Sequence, residues 1–246
     1  MKILQISDLH LYQSETTLMN MGSYSAPFST NDSFQRVCQA ISARKETTDL
    51  IIVSGDIAEE PTEQTYQRVA PLLDRLPAPY YCIAGNHDQP EYIEKHLNTI
   101  NYLDKDQWRI IFLNTHHTGR PDGHLSLEEL KQLDAHLSTD KYVLIVMHHH
   151  PVPIHSRWMD NLSLQQPERF LTIIRRYNTI KVVTFGHIHQ AFDETHHNVR
   201  YLGSISTCIQ FHSHQEEMQF SDQAAGYREI NLHSDGSINT TIHLVK

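Results

Sequence analysis

The chain has 246 residues, 39% apolar and 20% charged, which suits one sizeable globular α/β domain. Its formal net charge of −9, with no basic stripe, argues against a long polyphosphate partner. No apolar run could span a bilayer, "MKILQISDLH" lacks a secretory h-region, and Cys38, Cys82 and Cys208 are too sparse for a disulfide framework. A cytoplasmic location is therefore expected.

In chain order, "KILQIS" (2–7) reads as a first strand, apolar enough to be covered on both faces. Residues 11–30 are polar and read as a loop over a functional edge. A helix is predicted over 31–45, capped by Asn31 or Asp32, with Phe34, Val37, Cys38 and Ile41 on one stripe. A strand at 50–55, a helix at 62–76 and strands at 80–85 and 108–114 follow. "SLEEL" opens a helix over 126–138 with a capping box of Ser126 and Glu129. Then come a strand at 142–148, a helix at 167–177, a strand at 181–187 and a second polar loop at 212–226. Residues 227–245 alternate apolar and polar around "SDGS", which signals a β-hairpin. The pattern implies a layered α/β fold with parallel and antiparallel pairing, in one sheet or two. Without a repeat or linker, residues 1–246 read as one domain that includes the hairpin.

Ligands of α/β sheets bind beyond the carboxyl ends of strands, and here those ends are polar. The 2–7 run ends in Ser7-Asp8-Leu9-His10, the 50–55 run in Gly55-Asp56, and the 80–85 run in Gly85-Asn86-His87-Asp88. The 142–148 run ends in His148-His149-His150 and the 181–187 run in Gly186-His187-Ile188-His189. Each alone is an ordinary turn or a surface histidine; together, in this order, they point to chemistry. Imidazole and carboxylate donors without thiolates suit Mn, Fe, Co or Zn. They are too many for one ion with an open position and enough for two, with Asp56 the central carboxylate placed to bridge them. Two divalent ions against Asp8, Asp56 and one hydroxide leave net positive charge, so an acidic protein can still attract a phosphate here.

"SDLH", "GD", "GNHD", "HHHP" and "GHIH" resemble the five motif blocks of the calcineurin-like metallophosphoesterases, over Asp8 to about Arg228. "LIIVSGDIA", "QWRIIFLNT" and especially "STCIQF" (206–211) resemble the bacterial class III 3′,5′-cyclic-AMP phosphodiesterases among them. The resemblance implies a four-layer αββα sandwich of two mixed sheets flanked by helices. It implies that Asp8, His10, Asp56 and His189 hold one ion and that Asp56, Asn86, His148 and His187 hold another, with Fe or Mn foremost and Zn or Co as alternatives. A metal-bridging hydroxide would attack phosphorus in line with the 3′ oxygen, and His87 would protonate the departing oxygen. The phosphate would lie among His10, Asp56, Asn86, His87, His148 and His189.

The resemblance implies hydrolysis of 3′,5′-cyclic AMP to 5′-AMP, with 2′,3′-cyclic nucleotides, glycerophosphodiesters or a phosphomonoester as alternative substrates and a non-catalytic scaffold as the remote alternative. The protein would work as a monomer or homodimer. Strand alternation sends His149 away from His148, so His149 and His150 read as supporting or rim groups. His124 stands where the nearest relatives of this pattern carry an acidic residue, which bears on the rim of the site.

Overall fold

The computed structural model describes residues 1–20 and 27–245; the part of the 11–30 loop at 21–26 lies outside the described residues. The first half contains β1 (Lys2–Ile6), α1 (Thr30–Ser42), β2 (Leu50–Ser54), α2 (Glu63–Leu73), β3 (Tyr80–Ile83) and α3 (Pro90–His96). The middle contains β4 (Tyr102–Lys105), β5 (Trp108–Phe112), α4 (Leu127–His136), β6 (Tyr142–Met147), α5 (Arg157–Asp160), α6 (Pro167–Ile174) and β7 (Ile180–Phe185). The last part contains β8 (Phe192–His196), β9 (Val199–Gly203), β10 (Gln210–Phe211), β11 (Phe220–Ser221), β12 (Gly226–Leu232) and β13 (Ile238–Leu244).

One sheet runs β13-β12-β1-β2-β3 and the other β4-β5-β6-β7-β9-β8. The central strands of each are parallel, while β12, β13, β4 and β8 pair antiparallel, so both sheets are mixed. Residue alternation sorts the apolar side chains into three layers of core. Leu4, Ile51 and Val53 face α1–α3, through Phe34, Val37, Tyr66, Val69 and Ile93. Val143, Ile145 and Val183 face α4–α6, through Leu133, Met159 and Phe170. Ile3, Ile52, Leu144, Val146 and Val182 fill the space between the sheets. This is the expected four-layer arrangement, and near-continuous apolar strands are what two covered faces require.

The six predicted strands, the four predicted helices and the hairpin all form. The cap of α1 is corrected: Ser29, with extended φ and ψ, accepts from the backbone N–H of Asp32 at 3.0 Å. Asn31 instead lies inside the first turn, where its Oδ1 accepts from Arg68 at 3.0 Å. At α4 the capping box of Ser126 and Glu129 is present in both directions. No helix among the described residues is long and apolar enough to cross a membrane.

Candidate metal centre

The inter-sheet layer ends at the carboxyl edge in polar residues. Leu144 and Val146 line it, and His148, just past the end of β6, meets the Ser54 carbonyl and Asp56 from the facing sheet. Below this edge Gln5, Ser7, Ser54 and Thr184 are wholly buried and bonded to one another, including Gln5 Nε2 to Ser54 Oγ at 2.9 Å and Ser54 Oγ to Ser7 Oγ at 2.8 Å. These bonds tie the ends of β1, β2 and β7 together where the site begins.

Nε2 of His189 lies 3.3 Å from Nε2 of His10 and 3.5 Å from Oδ1 of Asp8. Oδ2 of Asp56 lies 3.7 Å from Nε2 of His10 and 3.4 Å from Nε2 of His148, which is 3.2 Å from Oδ1 of Asn86. Asp56 thus stands between Asp8, His10 and His189 on one side and Asn86 and His148 on the other. His187 joins through His148: a ring nitrogen from each of His148, His149 and His187 lies within 4.8 Å of the other two. Donors that share an ion at about 2.1 Å are spaced roughly like this.

Outer partners aim these donors. Nδ1 of His148 faces the carbonyl of Ser54 at 2.7 Å, and Nδ1 of His189 faces the carbonyl of Ile209 at 2.9 Å. A carbonyl only accepts, so both Nδ1 atoms donate and both Nε2 atoms are left facing the centre. Nδ1 of His10 meets Oε2 of Glu59 at 2.7 Å. Oδ1 of Asp56 accepts from the backbone N–H of His87 at 2.8 Å, leaving Oδ2 for the centre. Asp8 accepts from the backbone N–H of His187 at 3.0 Å.

The backbone is bent to deliver them. Asp8, His10, Asp56, His187 and His189 have φ of 54°, 48°, 50°, 67° and 46°, the left-handed region that side chains other than glycine adopt at a cost. A Cβ on Gly85 would overlap Asp56, and one on Gly55 would overlap His148. Burial alone would favour neutral carboxyls, but His148, His87 and His10 hold Asp56 well below the usual carboxylate range, and His189 and His148 lower Asp8. Burial drives His149 and His187 well below the ordinary imidazole range, helped by the neighbouring histidines. Carboxylates held ionised, a ring of imidazoles, one amide oxygen and glycines that keep space open are a donor set that fits cations. The residues support a dinuclear site.

His87 differs from these donors. It is exposed, its ring lies 4.8 Å from that of His10, and its Nδ1 is 3.2 Å from Oε2 of Glu59. Burial lowers its pKa, but Glu59 and Asp56 raise it to about 9. Glu59, also bonded to His10, is held below the ordinary carboxylate range by these two imidazoles although burial opposes it. Glu59, in the turn after β2, is a residue of the site that no motif in the sequence marks.

Of the supporting and rim readings of His149 and His150, the structure keeps the supporting one. Both are wholly buried. Strand β6 ends at Met147 and a bend follows, so strict alternation no longer applies. The His149 ring lies 4.8 Å from that of His148 and 4.7 Å from that of His187, in space left by Gly123. Its Nδ1 meets Thr115 Oγ1 at 2.8 Å, while Nε2 of His150 sits 3.4 Å from Oδ1 of Asp160. His124 is half-buried against His117, with ring centroids 5.2 Å apart.

The "STCIQF" segment forms a collar around the first donor set. Ser206 Oγ donates to the carbonyl of Asp8 at 2.8 Å, the Thr207 N–H to the carbonyl of Ser7 at 3.0 Å, and the Phe211 N–H to the carbonyl of His189 at 3.0 Å. The Phe211 ring stacks on that of His189 at 4.6 Å.

Comparison with known proteins agrees with this geometry. Residues 1–191 match the calcineurin-like phosphoesterase family. A Nostoc protein named 3′,5′-cyclic-nucleotide phosphodiesterase is 34% identical, covering 99% of this chain and 92% of its own length. Proteins of Vibrio vulnificus and Escherichia coli, both named 3′,5′-cyclic adenosine monophosphate phosphodiesterase, are 32% and 31% identical, each over 98% of this chain and 89% of their own. Among solved structures, a dimetal phosphatase from Danio rerio superposes with a TM-score of 0.74 at 14% identity, over 100% of this chain and 99% of its own. At that identity the likeness speaks for the fold.

Proposed function

We propose, for a chain that belongs to the calcineurin-like phosphoesterase family, that it hydrolyses 3′,5′-cyclic AMP to 5′-AMP at a dinuclear metal centre. The observation that carries the reading is Asp56, within 3.7 Å of His10 and 3.4 Å of His148, between two donor sets in a chain alike over nearly its full length to enzymes named for this activity.

In this reading Asp8, His10, Asp56 and His189 hold one ion, and Asp56, Asn86, His148 and His187 hold the other. The oxygen and imidazole donors suit iron or manganese first, and zinc or cobalt as well. Bound there, two ions supply positive charge for a phosphate and bring the ionisation of water towards neutral pH. His10, Asn86, His148 and His189 surround the phosphate, with Asp56 beneath it. His87, solvent-facing and held protonated by Glu59, gives its proton to the 3′ oxygen as the bond from that oxygen to phosphorus breaks. Water supplies the new oxygen on phosphorus, and 5′-AMP leaves.

The test is turnover of 3′,5′-cAMP, 3′,5′-cGMP, 2′,3′-cAMP, glycerophosphocholine and 5′-AMP by metal-reconstituted protein with its metal content measured. The reading expects 3′,5′-cAMP to be hydrolysed with the highest kcat/KM. A higher value for 2′,3′-cAMP, glycerophosphocholine or 5′-AMP would replace the substrate while keeping the chemistry.

A further inference from the structure

Beside the first donor set stand three aromatic side chains that the phosphoryl chemistry does not use. Phe211 on β10 pairs across the ribbon with Phe220 on β11, and their rings are 5.6 Å apart. Trp158 of α5 meets Phe211 edge to face, at 5.0 Å and 90°. Phe211 stacks on His189 at 4.6 Å and 28°. All three are half-buried, so the cluster keeps aromatic surface at the rim of the centre. The indole Nε1 of Trp158 is buried with no acceptor among the described residues.

The surrounding charge says what such a wall can take. The turn between β10 and β11 carries Glu216 and Glu217, and the nearby cation Arg157 is paired with Glu216 at 3.4 Å. A second phosphate finds no attraction there, whereas a flat uncharged ring does. Aromatic faces bind bases by stacking. In a nucleotide one ribose separates base from phosphate, and the wall begins one ring beyond His189.

We infer that Trp158, Phe211 and Phe220 receive the purine base of a nucleotide whose phosphate lies at the metal centre, which makes them determinants of substrate choice. The inference rests on the cyclic-nucleotide reading but is tested separately from it. The measurement is competitive inhibition of the metal-loaded protein by 5′-AMP and by ribose 5-phosphate, the same phosphate and sugar without the base, with bis-p-nitrophenyl phosphate as reporter. Wild type is expected to prefer 5′-AMP by roughly 5- to 100-fold. Phe211→Leu and Trp158→Leu should bring the ratio towards one, and Phe211→Tyr should restore most of it. Because the ratio is taken within each protein, an altered metal content cancels; Phe220→Leu, further from His189, covers the case in which the other two misfold. A wild-type ratio near one, or a ratio unchanged in every folded variant, overturns the base site. Failure to hydrolyse 3′,5′-cAMP, with the 5′-AMP preference intact, overturns only the reaction.

Discussion

Oε2 of Glu59 lies 3.2 Å from Nδ1 of His87, which couples a carboxylate outside the expected ligand set to the solvent-facing imidazole of the centre. His87 acts as a donor while protonated, so activity falls as pH rises through its pKa, near 9. Glu59→Gln removes a charge that raises that pKa, and the alkaline limb of kcat/KM should move to lower pH. Activity at pH 8 should drop roughly tenfold, with less than about threefold loss at pH 6. A profile of unchanged shape would show that Glu59 serves only to place His10.

His87→Ala should leave both ions in place, because the exposed ring lies outside the expected ligand set. Turnover of cAMP should fall by roughly 10²–10⁴-fold, the usual range for a positioned acid. The loss on bis-p-nitrophenyl phosphate should be smaller, since p-nitrophenolate leaves without a proton. Equal losses on the two substrates would make His87 a phosphate-positioning group instead of a proton donor.

Asp56→Ala removes the carboxylate that faces both donor sets. The purified variant should lose the second ion and hold the first more weakly, which elemental analysis after dialysis reads directly. Two retained ions with near-normal turnover would sink the shared-ligand assignment.

Within the triple histidine, His148→Ala should empty the second seat and abolish activity. His150→Ala should keep both ions and lose stability, because a wholly buried ring paired with Asp160 is removed. The thermal cost of such a core truncation is of the order of 1–3 kcal/mol. Metal loss in the His150 variant with full metal in the His148 variant would show that another member of the run is the ligand.

Strands β1, β2, β3, β5, β6 and β7 were legible because their apolarity runs almost unbroken, and in all but β5 it ends in the polar residues of the site; the inner strand β9, "VRYLG", is short and interrupted by Arg200. The edge strand β8, "FDETH", buries only Phe192 fully and carries no such signal. Helix α3 has seven residues and buries only Ile93 fully, too little for a helical stripe. Glu59 was not legible for another reason. Its role depends on His10 and His87 arriving from two other strand ends, and nothing in "GDIAEE" records that meeting. Alternation gives the wrong side for His149, which stands two residues past the end of β6, in a bend where the period of two no longer holds.

The left-handed backbone at Asp8, His10, Asp56, His187 and His189 also bears on how such a chain could change over generations. Each position keeps an unfavourable conformation for the sake of a ligand, at a cost on the order of 1 kcal/mol. A descendant released from the need to bind ions would gain stability by placing glycine or asparagine at several of them, since those residues adopt positive φ more cheaply. Loss of catalysis in this lineage would then be written first at the strand ends, as glycines and asparagines where aspartates and histidines now stand, while the three apolar layers below stayed as they are.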